Sequence, residues 1–399
     1  MPGKTPVIVF INHWAKNIGG AERSLLDIIE YGASRCRACV IASEQGPLLE
    51  KAAAFGVTCR VVPCLLKPGG KERENLMGFV LKSWKECVSF LRYVLAISAI
   101  IKTMEPECIH ANVPKSHITL FLLVLLGYKG ACLFHMREIF ERFTLPYISY
   151  MILFPRKSGR VIAISNSVRT GLPRALRKKT SVIYNGVYVP DAAPAARSEN
   201  KGLIRFLYVG RVVPWKGCRQ LIEMFAEVTG RFPGGRATLT LIGDTLYWSL
   251  DYREALKTLI RDKGLTENCT LLPHVENPYD VFPLYDVFCS ASYKEPFGRA
   301  LAEAQAAAMP VVAFDSGGIK EIVEHGQTGL LAPYGGKDAF VQAMESFIKK
   351  PERIREMGAK GHERVRKLFN RTVQAPLIWK EILKQISSRT KRDDRVREC

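Results

Sequence analysis

Short apolar runs of strand length alternate with amphipathic stretches of helical period along nearly the whole chain, the pattern of parallel sheets wrapped by helices. In the first half, "TPVIVFIN", "RACVIASE", "VTCRVVPC", "CIHAN", "ACLFHMRE", "RVIAIS" and "TSVIYNGV" read as strands, with "GGAERSLLDIIEYGA" and "PLLEKAAAFG" among the helices between them. The alternation stops at "VPDAAPAARSENKG", which has no periodicity, and then restarts. "LIRFLYVG", "ATLTLIGD", "CTLLPHV", "DVFCSAS", "PVVAFD" and "GLLAP" are the strands of the second half. The expected fold class is therefore α/β, with two doubly wound, Rossmann-like domains. The boundaries read as 1–188, a linker at 189–202, a second domain at 203–370, and a helix at 371–388 that packs back on the first domain. A basic tail at 389–399 reads as disordered.

The chain's 399 residues, 47% apolar and 24% charged, suit two ordinary globular domains. Eleven cysteines are too few for a disulfide scaffold, and Cys36 and Cys39 form a single Cys-x-x-Cys in a strand-like run, which reads as core. The start "MPGKTPVIVFINHW" has too short an apolar run for a signal peptide, so the expected compartment is the cytoplasm. The net charge of +20 calls for an anionic partner. Twenty-six Lys and Arg against twelve Asp and Glu through Gly186 leave +14 there and +6 in the remainder. No run reaches the ~20 apolar residues of a membrane span. Two stretches with basic flanks, Leu81 to Lys102 and Leu145 to Arg160, read either as core helices or as helices lying in an anionic membrane surface, and the charge excess favours the second.

In open parallel sheets ligands sit beyond the carboxyl ends of the strands, so candidate chemistry should follow strands directly. Gly19 and Gly20 precede a helix there, a turn that serves equally as a ligand-free bend or as an anion site. Arg211 and Lys216 lie on the loop after "LIRFLYVG", two cations suited to a diphosphate. In "YKEPFGRALAEAQAAAMP", Pro296 and Gly298 end one element and start a helix near Arg299, leaving Glu295 on the loop and Glu303 one turn in. Backbone N–H groups around Phe297 to Ala300 would form an anion site. Carboxylates flanking it suit sugar hydroxyls rather than phosphate.

These residues resemble the retaining, GT-B-fold glycosyltransferases of family 4. "EPFGRALAEAQAAAMPVVAFDSGGIKEIV" is similar to that family's Glu-x7-Glu signature, and "VGRVVPWKG" to its Gly-Arg…Lys-Gly loop. "GGAERSL", "FHMREIF", "AISNSV" and "VIYNGV" match more loosely. The resemblance implies two domains facing across a cleft and a nucleoside-diphosphate-sugar donor with no other cofactor. It further implies that Arg211 and Lys216 hold the diphosphate and Glu303 the ribose. Glu295 would contact the transferred sugar, helped by N–H groups near Phe297, Gly298 and Arg299. The Gly19–Gly20 turn would approach the β-phosphate. His135 matches the histidine that touches the donor sugar, Arg137 follows in the same loop, and Asn185 and His13 are weaker candidates. Asp286 reads as structural.

The leaving diphosphate needs positive charge, which Arg211, Lys216 and helix N–H groups can supply. With no Asp-x-Asp and no metal-spaced His/Asp cluster, a metal-independent transfer is expected. The expected acceptor is a glycan or lipid-linked molecule of cell-surface polysaccharide or lipopolysaccharide assembly, met at the inner face of the membrane. A nucleotide-sugar epimerase shares the architecture. A nucleic-acid-binding protein has only the charge in its favour, without basic-aromatic stacking motifs.

Overall fold

The computed structural model describes residues 5–64, 84–141, 144–155, 159–191, 202–234, 236–245 and 250–397. The chain divides into two units, Met1–Gly186 with Arg371–Cys399, and Val187–Asn370. Most of the stretch read as a linker lies outside the described residues.

The first unit holds a parallel sheet of β1 (Val7–Ile11), β2 (Arg37–Ala42), β3 (Thr58–Val61), β4 (Cys108–Ala111), β5 (Ala131–Met136), β6 (Gly159–Ala163) and β7 (Thr180–Val182), in the order β3-β2-β1-β4-β5-β6-β7. The second holds β8 (Ile204–Val209), β9 (Ala237–Ile242), β10 (Cys269–Leu272), β11 (Val287–Ser290), β12 (Val311–Asp315) and β13 (Gly329–Pro333), ordered β10-β9-β8-β11-β12-β13. Strand order reverses between β1 and β4 in one sheet and between β8 and β11 in the other, the place where such sheets leave a crevice for ligands. The central strands are buried on both faces, which is why they read as continuous apolar runs. Cys36 and Cys39 are buried thiols pushed up to about 11 by that burial, consistent with core packing.

The amino ends of β8 and β11 are locked by Asp286, which accepts from the backbone N–H of Arg205 at 2.8 Å and from its guanidinium at 2.9 and 3.1 Å. This pair stands at the strand ends opposite the candidate chemistry.

The last helix, Arg371–Arg397, returns to the first unit and packs on the helix Gly20–Gly32. Trp379 donates its indole N–H to Ile28 O at 2.7 Å. A Cβ on Gly32 would stand 1.6 Å from the Trp379 ring, so the glycine makes room for the indole. The helix runs to Arg397, past residue 388 where the sequence reading ends it and into the stretch read as a disordered tail.

A second difference concerns the helix Trp84–Met104. By length and composition Lys85–Met104 is apolar enough to cross a membrane, although no continuous apolar run of that length exists in the sequence. It nevertheless buries Tyr93, Val94, Ile97 and Ile101 within the first unit.

Trp379→Ala should destabilise the first unit by about 3–5 kcal/mol, the usual cost of emptying a large aromatic site. Chemical denaturation measures it. A loss below about 1 kcal/mol would show that the C-terminal helix is not part of this core.

Candidate functional site

In the second unit, three loops at strand carboxyl ends are drawn together by backbone contacts. The loop after β8 closes through a short turn, Pro214–Lys216, into Gly217, whose φ of 71° is left-handed. A Cβ there would meet Ala291 O at 2.1 Å, and Tyr293 donates its N–H to Trp215 O at 2.9 Å. The loop after β11 therefore rests directly on the loop after β8. Next, Lys294 takes a positive φ of 45°, a conformation rare for a side chain of its size, and its N–H is held by Ser316 Oγ at 2.7 Å. Gly318 donates to Glu295 O at 2.7 Å, and a Cβ on Gly317 would stand 2.1 Å from the same carbonyl.

The outcome is a buried Glu295 carboxylate 2.5 Å from Lys216 Nζ. Gly298, with φ 101°, begins the helix Arg299–Ala306, as its placement between Phe297 and Arg299 predicts. Glu303 is buried on that helix and accepts from Arg299 Nε at 2.7 Å. Six of the ten residues from Ala300 to Met309 are alanine, which lets the helix lie deep enough to bury this glutamate. Phe297 turns its ring into the core against Phe369, so only its backbone is placed to meet a ligand. Arg211 is exposed on the same loop as Lys216. The structure thus gathers Lys216, Glu295, Gly298, Arg299 and Glu303, and Arg211 lies earlier on the loop that carries Lys216.

In the first unit a separate polar network covers the carboxyl ends of β1, β4 and β5. Asn12 and Asn112 each follow their strand directly, and Asn112 Nδ2 donates to Asn12 Oδ1 at 2.8 Å and to Ala21 O at 3.3 Å. Arg137 donates from Nε and Nη2 to Asn112 Oδ1 at 3.0 and 2.7 Å, and from Nη1 to Asn185 Oδ1 at 2.8 Å. Its Nη2 also lies 3.3 Å from both Ser24 Oγ and His135 Nδ1. His135 is buried, as are His110, 3.2 Å from it, and His117. Burial, with Arg137, His110 and His117 nearby, holds His135 well below the ordinary imidazole range.

The Gly19–Gly20 turn starts the helix as expected, but Glu22 reaches back and accepts the Gly19 N–H at 3.0 Å. An anion would therefore have to use the later N–H groups of that first turn. His13 does not join the Arg137 network. It is buried between the Trp14 and Tyr93 rings and lowered to about 3, first by burial and then by Lys115.

Sequence reasoning passed over Asn12, Asn112, Ser24 and His110, and gave the Ser316–Gly318 turn no role beyond its place in the matched motif. The rule that chemistry follows strands would have found both asparagines, since each is the first residue past a strand. Among the described residues, no three His, Cys, Asp or Glu side chains come together to hold a metal ion.

Two parallel-sheet α/β units of this kind are the architecture of the GT-B glycosyltransferases. A solved structure of Anabaena HepE in complex with UDP and glucose matches with a TM-score of 0.76 and 22% identity, covering 94% of this chain and 98% of that one. Sucrose-phosphate synthase from Thermosynechococcus elongatus matches at 0.76 and 20%, covering 96% and 100%. At the sequence level, residues 191–364 match the family model described as glycosyl transferases group 1, and residues 18–189 the one described as glycosyltransferase family 4. With both halves matched, the chain belongs to glycosyltransferase family 4. Among curated relatives, D-inositol 3-phosphate glycosyltransferase of Rhodococcus erythropolis is 34% identical over 171 residues, covering 42% of this chain and 39% of that protein. The capsular polysaccharide biosynthesis glycosyltransferase CapM of Staphylococcus aureus is 31% identical over 179 residues, 44% and 43% of the two chains. The matched part thus spans about four-tenths of the length of these relatives.

Gly317→Ala should disturb Glu295 without touching its side chain. The added methyl meets a carbonyl rather than a flexible side chain, so a loss of about 1–3 kcal/mol in stability is expected. Denaturant unfolding checks it, and an unchanged midpoint would show that the loop yields freely.

Proposed function

We propose that the protein moves a hexose-type sugar from a nucleoside-diphosphate sugar to a glycan or lipid-linked acceptor, with retention of configuration. The observation that carries this reading is the grouping of Lys216 and Glu295, with Glu303 one turn into the helix that begins at Gly298. A diphosphate would take Lys216, Arg211 and the backbone N–H groups at the helix start. The transferred sugar's hydroxyls would meet Glu295, and the ribose would meet Glu303.

Negative charge grows on the leaving diphosphate as the anomeric bond breaks, and fixed cations lower the barrier most when aimed there beforehand. Arg211 and Lys216 supply such charge without a protein-held metal ion. On the retaining reading the donor phosphate itself helps remove the acceptor proton, and Glu295 positions the sugar and stabilises charge. UDP-glucose is the first donor to try, because the HepE structures contain UDP with glucose and UDP-glucose. An epimerase acting on the same donor would share the diphosphate contacts and would need no acceptor.

The lipid-linked acceptor is favoured by the first unit's surface. Leu91 and Leu95 on the helix Trp84–Met104, Leu125 and Leu126 at the end of the helix Pro114–Leu125, and Met151 and Ile152 on the helix Leu145–Leu153 are exposed. With the +14 charge through Gly186, this surface suits an anionic bilayer met at its interface, at the cytoplasmic face of the membrane.

A thermal-shift screen with nucleoside diphosphates and their sugars tests the donor site. One of them should stabilise the protein by about 2.7 kcal/mol at a hundredfold excess over its Kd. Glu303→Gln should weaken that ligand by about 10–100-fold, the worth of a charge-assisted hydrogen bond. Stabilisation by none, with Glu303→Gln silent, would sink the reading.

The membrane surface is tested by sedimentation with anionic phospholipid vesicles at low salt. Binding should fall on adding salt and in Ile152→Glu. Failure to sediment under any condition would count against it.

A further inference from the structure

The protonation of His135 is decided by its neighbours. Its Nδ1 lies 3.3 Å from Arg137 Nη2 and 3.2 Å from His110 Nε2. A guanidinium offers only donors and keeps its charge, so Nδ1 must meet it with a lone pair. A proton on Nδ1 would set two N–H groups against each other. His110 then approaches the same lone pair with its own Nε2–H. The buried ring is neutral, which leaves the one imidazole proton of His135 on Nε2, an atom that is buried and has no hydrogen-bond partner among the described residues.

We propose that Arg137 is a positioning residue that fixes His135 as the neutral Nε2–H tautomer, so that His135 gives a hydrogen bond to a ligand oxygen and accepts no proton. This changes the part assigned to both residues. Arg137 is no anion clamp, since Asn112, Asn185, Ser24 and His135 already surround its guanidinium. Through Asn112, which also holds Ala21 O, the same side chain ties the start of the helix Gly20–Gly32 to the sheet edge. One guanidinium therefore sets both the donor and the helix end beside it. That the oxygen belongs to the donor sugar or its phosphate rests on the transferase reading; the tautomer does not.

Two-bond 1H–15N spectra of the full chain, labelled with 15N at histidine, read the tautomer directly. At neutral pH the His135 resonances, assigned by their loss in His135→Gln, should show a protonated Nε2 and an unprotonated Nδ1. Arg137→Met should convert this single form into a mixture, and Arg137→Lys, which keeps one donor, should largely restore it. An Nδ1–H form or an imidazolium at His135 in the unaltered protein overturns the proposal, and where His135→Gln does not fold, His135→Ala supplies the assignment. Transfer kinetics test the ligand contact. Glutamine can hold an N–H near the position of Nε2, so His135→Gln should keep kcat/KM within about tenfold, whereas His135→Ala should lose about 10²–10³-fold, as when one fixed donor is removed. Equal losses in both variants would mean that His135 takes a proton, and would overturn the donor role. If the unaltered protein transfers sugar from no nucleoside-diphosphate sugar, the transferase reading fails while the spectra still decide the tautomer.

Discussion

Backbone brought too close to admit a side chain is the constraint on which the second unit's arrangement rests. Gly217 sits against Ala291 O, and Gly317 against Glu295 O, each with 2.1 Å where a Cβ would be. The first contact fixes the loop that carries Lys216, and the second fixes the carbonyl of Glu295 itself. Both partners of the 2.5 Å ion pair are thereby placed by glycine contacts made one residue away or on the same residue. These contacts fix the backbone beneath each charged group, and the ion pair between the two side chains then sets their rotamers.

The first unit solves the same problem with hydrogen bonds. Asn12, Asn112 and Asn185 are buried amides gathered around Arg137, and Ser24 joins them from the helix above the sheet. Around them lie histidines that burial keeps neutral, with His110 and His117 each lowered to about 3. The region therefore presents oriented donors and acceptors and one permanent cation. Such groups hold their protonation across the physiological range, so they act by geometry.

The central strands of both sheets could be read from the chain because, buried on both faces, they leave uninterrupted apolar runs. Glu295 and Glu303 were legible for a related reason: Pro296 and Gly298 mark a break, and an alanine-rich helix makes one glutamate conspicuous. The amide network was not. Asparagine past a strand is also common turn chemistry, and nothing local ties Asn12 to a residue one hundred positions away. The C-terminal helix was legible as far as residue 388, but its extension to Arg397 was not, since a charged stretch without periodic apolar residues looks the same whether helical or not. The capping of Gly19 by Glu22 is visible in the sequence as a glutamate three residues on.

The Lys216–Glu295 pair bears on what such a site can select. Both side chains are largely buried, so separating them without replacement would leave two poorly solvated charges. A free phosphate could satisfy Lys216 but would leave Glu295 facing an added anion. A neutral sugar could satisfy Glu295 but would leave Lys216 without its counter-ion. On the proposed reading, only a ligand carrying an anion and hydroxyls at the right separation replaces both halves of the pair at once. Discrimination against each fragment then comes from the ion pair itself, because a partial ligand must break an interaction that it cannot fully restore.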